Sequence, residues 1–287
     1  MTEPDSQGEP TPSGSYAAAR ADLERKSTEE LFALTLKGDY EREDDDLSHL
    51  ATITLRLRGT AEVFEMAKKF CESENARERA EGLNVLSQLG SGKPDSERPY
   101  MTECVDIAIA HLDDADQHVV SAAAWVLSWQ ATKRGVDELF GLRSHPNSDV
   151  RLAVACSKAI GHPKSTQILI ELMQDYDDDV RNWATFFLAS GDDFQNGEWH
   201  YPDSPEIRAA LHLRLTDSFE EARREAIWGL ATRKDPAGLK LLLGYLESEK
   251  WWSGDEDAAQ ETLMLPAGTP VEELCKGLRQ LISTLEA

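Results

Sequence analysis

The sequence predicts an all-α solenoid of about seven stacked helical hairpins. Three observations carry that prediction. Apolar residues recur at helical spacing along nearly the whole chain after the first fifteen residues. Sustained two-residue alternation is missing, and the Asn196-Gly197 pair is not flanked by alternating segments, so no strand is expected. A motif also returns at intervals of about 30 or about 42 residues, which marks a repeat architecture.

The motif is clearest as Asp179-Val180-Arg181. It recurs as Asp149-Val150-Arg151 and Glu221-Ala222-Arg223, and weaker copies put Val120, Arg79 and Ser48 at the arginine position. Three residues on stands a small or apolar side chain: Ala51, Gly82, Ala123, Val154, Ala184 or Ala226. Seven residues on stands leucine at Leu55, Leu86, Leu127, Leu188 and Leu230, with Lys158 as the exception. On a helix these two offsets share one face, so the small residue permits close approach and the leucine fills the space beyond. Each such helix follows another apolar helix, for example Val105–Leu112, Ile168–Met173, Ile207–Leu213 or Leu239–Leu243. One hairpin cannot bury its apolar face alone, whereas a stack can.

Asp-Val-Arg-x-x-Ala-x-x-x-Leu on a helix pair of about 30 residues resembles HEAT repeats, in the short form of the phycobilisome-lyase-type proteins. The resemblance covers about residues 27–265 and implies a right-handed, HEAT-like α-solenoid. The expected domains are a polar N-terminal tail at 1–15, helical repeats at 16–265 and a C-terminal capping helix at 266–287, with Pro270 near its start.

Charge narrows the partners. Asp and Glu number 53 against 30 Lys and Arg, a formal net charge of −23. Such a surface repels phosphate, so nucleic acid and anionic membranes are not expected partners, and a basic protein or peptide is. The N-terminus has no apolar leader core, and no apolar run reaches the ~18 residues of a membrane helix, so a cytoplasmic location is expected. Cys71, Cys104, Cys156 and Cys275 are widely spaced, without a CxxC pair, and read as reduced thiols.

Two acidic stretches resemble metal sites. Asp175-Tyr176-Asp177-Asp178-Asp179 matches a calcium loop at its first, third and fifth positions but has Val180 where glycine is needed and Phe186 where glutamate is needed. Capping explains it better, since acids also precede other second helices at Asp44–Asp46, Asp113, Asp114, Asp116, Asp149, Asp217, Glu220 and Glu221. HEAT proteins often carry Asp–Arg ladders, which suggests one through Asp149, Arg151, Asp179 and Arg181. His111 to His118 offers two histidines and three acids, again on an inter-helix turn where acids are expected. No metal or other cofactor is expected.

No nucleophile elbow, phosphate loop, HExxH or dinucleotide fingerprint occurs. Deoxyhypusine hydroxylase, a HEAT-repeat enzyme, holds iron with His-Glu pairs, and none of the seven histidines here precedes glutamate. The expectation is a non-enzymatic binding or adaptor module, one form being an inhibitor- or immunity-type protein that masks a basic partner. The alternative is a bilin-lyase-like enzyme or a chaperone for a small hydrophobic ligand.

Aromatic residues follow the repeat. Trp183 stands two residues after its motif arginine, Trp125, Phe186 and Trp228 five after, and Trp129 nine after. These offsets share a face roughly 130° from the core face. The expected partner groove comprises Trp125, Trp129, Cys156, Asn182, Trp183, Phe186, Arg224, Glu225 and Trp228. Two longer insertions, 90–100 and 190–202, support a site, and the second, with Trp199 and Tyr201, is expected to fold over an edge of the groove.

Overall fold

The computed structural model describes residues 20–38, 47–94, 97–130, 133–157, 162–190, 201, 203–248 and 251–287. The N-terminal tail, Asp44–Asp46, Lys158 and Trp199 lie outside the described residues. Among the described residues the secondary structure is helical, without strands. The chain forms two compact units, Met1–Glu138 and Leu139–Ala287.

The first unit holds α1 (Thr28–Thr35), α2 (Leu47–Arg58), α3 (Ala61–Cys71), α4 (Ala76–Ser87), α5 (Met101–Ile109) and α6 (Gln117–Gln130). Helix α7 (Lys133–Gly141) carries the unit boundary. The second unit continues with α8 (Ser148–Ala155), α9 (Ser165–Leu172), α10 (Asp178–Ser190), α11 (Pro205–Arg214) and α12 (Glu220–Thr232). It ends with α13 (Pro236–Leu246), α14 (Ser253–Leu263) and α15 (Val271–Leu285). Even-numbered helices are the second members of their pairs. Within the first unit α2 packs on α4 and α4 on α6; within the second α8 packs on α10, α10 on α12 and α12 on α14.

The motif positions supply these contacts. Ala51, Ala123, Val154, Ala184 and Ala226 are buried, as are Leu55, Leu86, Leu127, Leu188 and Leu230. At Gly82 the approach is close: a Cβ there would lie 2.6 Å from the Ala67 carbonyl oxygen and 2.8 Å from Cys71 Sγ, so α4 sits on α3 only with glycine. In the insertion at 90–100, the Tyr100 ring stacks on Phe64 with centroids 4.1 Å apart. Helix α15 closes the chain, with Leu274, Leu278 and Ile282 against Leu239, Leu242 and Leu246.

The aspartate run resolves into separate jobs. Asp177 caps α10, accepting from the Asp179 and Val180 amides at 3.1 and 3.2 Å. Asp178 pairs with Arg181 one turn on. Asp175 instead faces the preceding repeat, receiving Arg151 Nε and Nη2 at 2.7 and 2.8 Å. Arg181 likewise reaches forward to Asp217 at 3.0 and 3.1 Å, and Arg79 to Asp114 at 2.8 Å. This corrects the expected ladder. Asp149 and Asp179 lie in the first turns of their helices and point to solvent, whereas the ladder acid comes from the turn before the next second helix. Each ladder arginine also donates to a carbonyl six residues upstream: Ser73, His145, Asp175 and, from Arg223, Asp217. His111 is held similarly, its ring nitrogens at the carbonyls of Ile107 and Cys71.

Burial alone would raise the Asp175 and Asp217 carboxyls, but guanidinium hydrogen bonds, backbone amides and neighbouring arginine charges outweigh it and hold both below the usual range. At Asp114 the Arg79 hydrogen bonds lead the same downward shift. A lowered folded pKa means a contribution present in full above about pH 4 and lost as pH falls below it. Arg151→Ala, which strands buried Asp175, is expected to cost about 3 kcal/mol in urea unfolding at pH 7. Its deficit should shrink as the pH is lowered through 4 toward 2. A deficit that is small at pH 7, or independent of pH, contradicts the ladder's energetic role.

Candidate functional site: an aromatic ridge and an acid-lined cavity on the second unit

Helix α10 presents three aromatic rings in one patch. Trp183 meets Phe186 edge-on, with centroids 5.5 Å apart and planes at 76°, and Phe187 at 5.9 Å. Phe186 meets Phe187 edge-on at 5.2 Å. Trp183 is 40% exposed, a large apolar area for one side chain to present. Beside it the Oδ1 of Asn182 is buried and accepts no hydrogen bond from the described residues.

A cavity of about 230 Å³ opens where α10, α12 and α14 meet. Phe186 and Trp228 form apolar walls, and Glu225, Asp257 and Glu261 supply carboxylates. Trp228 is fixed from two sides. Its Nε1–H donates to Asp255 Oδ1 at 2.8 Å, and its ring packs against Gly254, where a Cβ would sit 2.6 Å from the ring edge. Asp255 is fully buried and also accepts from Arg224 and from the Trp252 amide at 2.8 Å.

Arg224 therefore does not line a groove. It is 1% exposed, pairs with Asp255 and Glu220, and lies between the rings of Tyr245 and Trp252 at 4.2 and 3.9 Å. Burying a guanidinium demands such a set of partners, which leaves none of it for another molecule. The next residue is the opposite case. Burial pushes the Glu225 carboxyl up to about 8, and among the described residues no cation pairs with it.

The other expected groove residues are distributed differently. Trp125 and Trp129 lie half-buried one turn apart on α6, in the first unit. Cys156 ends α8 half-buried, and burial pushes its thiol up to about 12, so it is no nucleophile near neutral pH. Tyr201 is 5% exposed, its hydroxyl is hydrogen-bonded to Ser165, and burial raises its pKa, so it packs inward rather than facing a partner. The wall from α14 was absent from the sequence reading. Extending the motif register beyond Arg223 would have found it, because Ala258 and Thr262, three and seven residues after Asp255, are both buried.

These stacked helix pairs form a HEAT-like α-solenoid, and residues 105–189 match the family model described as HEAT repeats. Among individual proteins, the chain is 27% identical to protein YibA of Escherichia coli K12 over 233 residues, 76% of this chain and 77% of YibA. The X-ray structure of YibA superposes with a TM-score of 0.68 at 23% identity, covering 97% of this chain and 99% of that one. A chain from the structure of Kap95p with RanGDP superposes with a TM-score of 0.57 at 15% identity, covering 96% of this chain and 39% of that one. At these identities the structural likenesses establish a shared helical-solenoid fold.

Glu225 is held protonated at a cost that its neighbours do not relieve. Its folded pKa lies above the unfolded value, so folding loses stability as pH rises from about 4.5 to about 8. Glu225→Gln is expected to match the parent near pH 4 and to exceed it by roughly 2–4 kcal/mol at pH 9 in urea titrations. Equal stabilities at pH 9 would show that the carboxyl is well solvated.

Proposed function

We propose that this chain is a non-enzymatic protein-binding module whose second unit grips a basic partner through the α10 aromatic ridge and the neighbouring acidic cavity. The observation that carries the reading is Trp183, 40% exposed at the head of an edge-to-face aromatic cluster. Exposed tryptophans of this kind are typical interface anchors. The formal net charge of −23 favours a positively charged partner and would speed its encounter more than it tightens the complex. The HEAT-repeat fold suits a scaffold role. One concrete form is an inhibitor- or immunity-type protein that masks a basic enzyme surface in the cytoplasm. In keeping with this, no helix among the described residues is long and apolar enough to cross a membrane. Trp125 and Trp129 are proposed as further partner contacts on the first unit.

A bilin or comparable small hydrophobic ligand is less well served. Drug-sized ligands occupy pockets of roughly 300–1,000 Å³, whereas the cavity beside Phe186 holds about 230 Å³ and is edged with carboxylates.

Trp183→Ala removes the exposed ring without opening the core. Affinity co-purification from the native host is expected to recover a basic protein with the parent chain and at least tenfold less of it with Trp183→Ala. The variant's thermal unfolding midpoint should stay within a few degrees of the parent's. Undiminished recovery with the variant, or a small coloured ligand bound to the parent instead, overturns the reading.

A further inference from the structure

We propose that the cavity between α10, α12 and α14 is a receptor for a single cationic side chain, arginine or lysine, of the basic partner. The inference rests on the protein-binding reading above and names the chemistry its cavity selects.

The walls and the floor ask for different parts of one ligand. Phe186 and Trp228 offer ring surface to an alkyl stem or to the flat face of a guanidinium. Glu225, Asp257 and Glu261 place carboxyl oxygens around the same space, and none of the lining residues is basic. A neutral apolar ligand would leave those carboxyls facing it, and an anion would be repelled. A bare hydrated metal ion would gain nothing from the aromatic walls. A long side chain with a positive end satisfies both.

Trp228 is pre-set for this task. Its indole N–H is already bound to Asp255 at 2.8 Å, and Gly254 seats the ring with no Cβ between. The ring is therefore held in place before any ligand arrives, which lowers the entropy lost on binding. Trp183 stands next to Phe186, at 5.5 Å between centroids, so a partner chain resting on the ridge has the cavity within reach.

Glu225 explains why the site discriminates. Its titratable neighbours in the cavity are Asp257 and Glu261, both from α14; α10 contributes only Phe186 and Ala189, and α12 adds Trp228, Gly229 and Thr232. The cavity lining holds no positive charge, and the Arg233 guanidinium acts on Glu261 from outside it. A carboxyl so placed keeps its proton until a cation enters, and entry of the cation releases that proton. Binding then strengthens as pH rises toward and past 8.

The test titrates n-butylguanidinium chloride into the full chain at constant ionic strength. It follows the Trp228 indole N–H resonance, assigned by its loss in Trp228→Phe. The cation stays charged at all pH values used. Saturable shifts are expected, with about tenfold tighter binding at pH 9 than at pH 6.5. Glu225→Gln should weaken binding at pH 9 at least fivefold and flatten the pH profile. Asp257→Asn, an exposed change, should weaken it less. Equal shifts with 1-pentanol, no saturable binding, or an unaltered profile in Glu225→Gln overturns the proposal. The two ideas fail separately. If the probe does not bind but Trp183→Ala still loses the partner, the module stands without this receptor. If the probe binds but the partner ignores Trp183, the receptor stands and the ridge does not.

Discussion

The ladder arginine is the interaction on which the rest depends. Each guanidinium is spent twice. One nitrogen closes its own turn onto a carbonyl six residues back, and the others grip a carboxylate on the next repeat. In the second unit these links join. Asp175 takes Arg151 on its carboxylate and Arg181 on its carbonyl. Asp217 takes Arg181 on its carboxylate and Arg223 on its carbonyl. Hydrogen bonds to charged groups contribute about 1.5–3 kcal/mol each, and a buried guanidinium left short of partners costs more than that. The chain of links therefore fixes the offset between successive second helices. Lysine could not replace arginine here, because a point charge cannot serve a carboxylate and a carbonyl in fixed directions.

At the end of the second unit the pattern changes hands. Arg223, in the motif position, finds a tyrosine hydroxyl at 3.5 Å rather than a carboxylate. The carboxylate link passes to Arg224 and Asp255. Moving the link by one residue turns it toward the aromatic side of α12, where Tyr245 and Trp252 cover the guanidinium. The same Asp255 then orients Trp228. The cavity wall and the repeat-to-repeat link thus share one buried carboxylate, so the position of that ring is set by the solenoid itself.

The fold was legible because its signals are periodic. Small residues and leucines at fixed offsets state which face is buried, and burial of Ala184 and Leu188 depends on nothing beyond that periodicity. The ladder partners were not legible. A guanidinium reaches several ångströms in directions that sequence spacing does not fix, and every turn offers more than one acid. The same limit explains Arg224 and Glu225. They are neighbours of opposite charge on one helix, and the sequence treats them alike as flanking residues. In the folded chain one is covered by two rings and two carboxylates, while the other is half-buried with no cation paired to it among the described residues. A helix turns about 100° per residue, so adjacent side chains meet different neighbours, and only packing decides which of them is satisfied.

That contrast is the strongest physical argument for where the chain works. The ladder carboxylates Asp114, Asp175 and Asp217 are drawn below their usual pKa by guanidinium hydrogen bonds. Glu225 goes the other way, pushed upward to about 8 by burial, although arginine is the adjoining residue. A protein able to pair its buried acids throughout two units leaves this one facing a cavity with aromatic walls. Structural need does not account for it, since glutamine would occupy the same space at less cost. Unrelieved strain of this sort in a cleft is a mark of a binding position. On the proposed reading, the positive charge that would pair with Glu225 arrives with the partner.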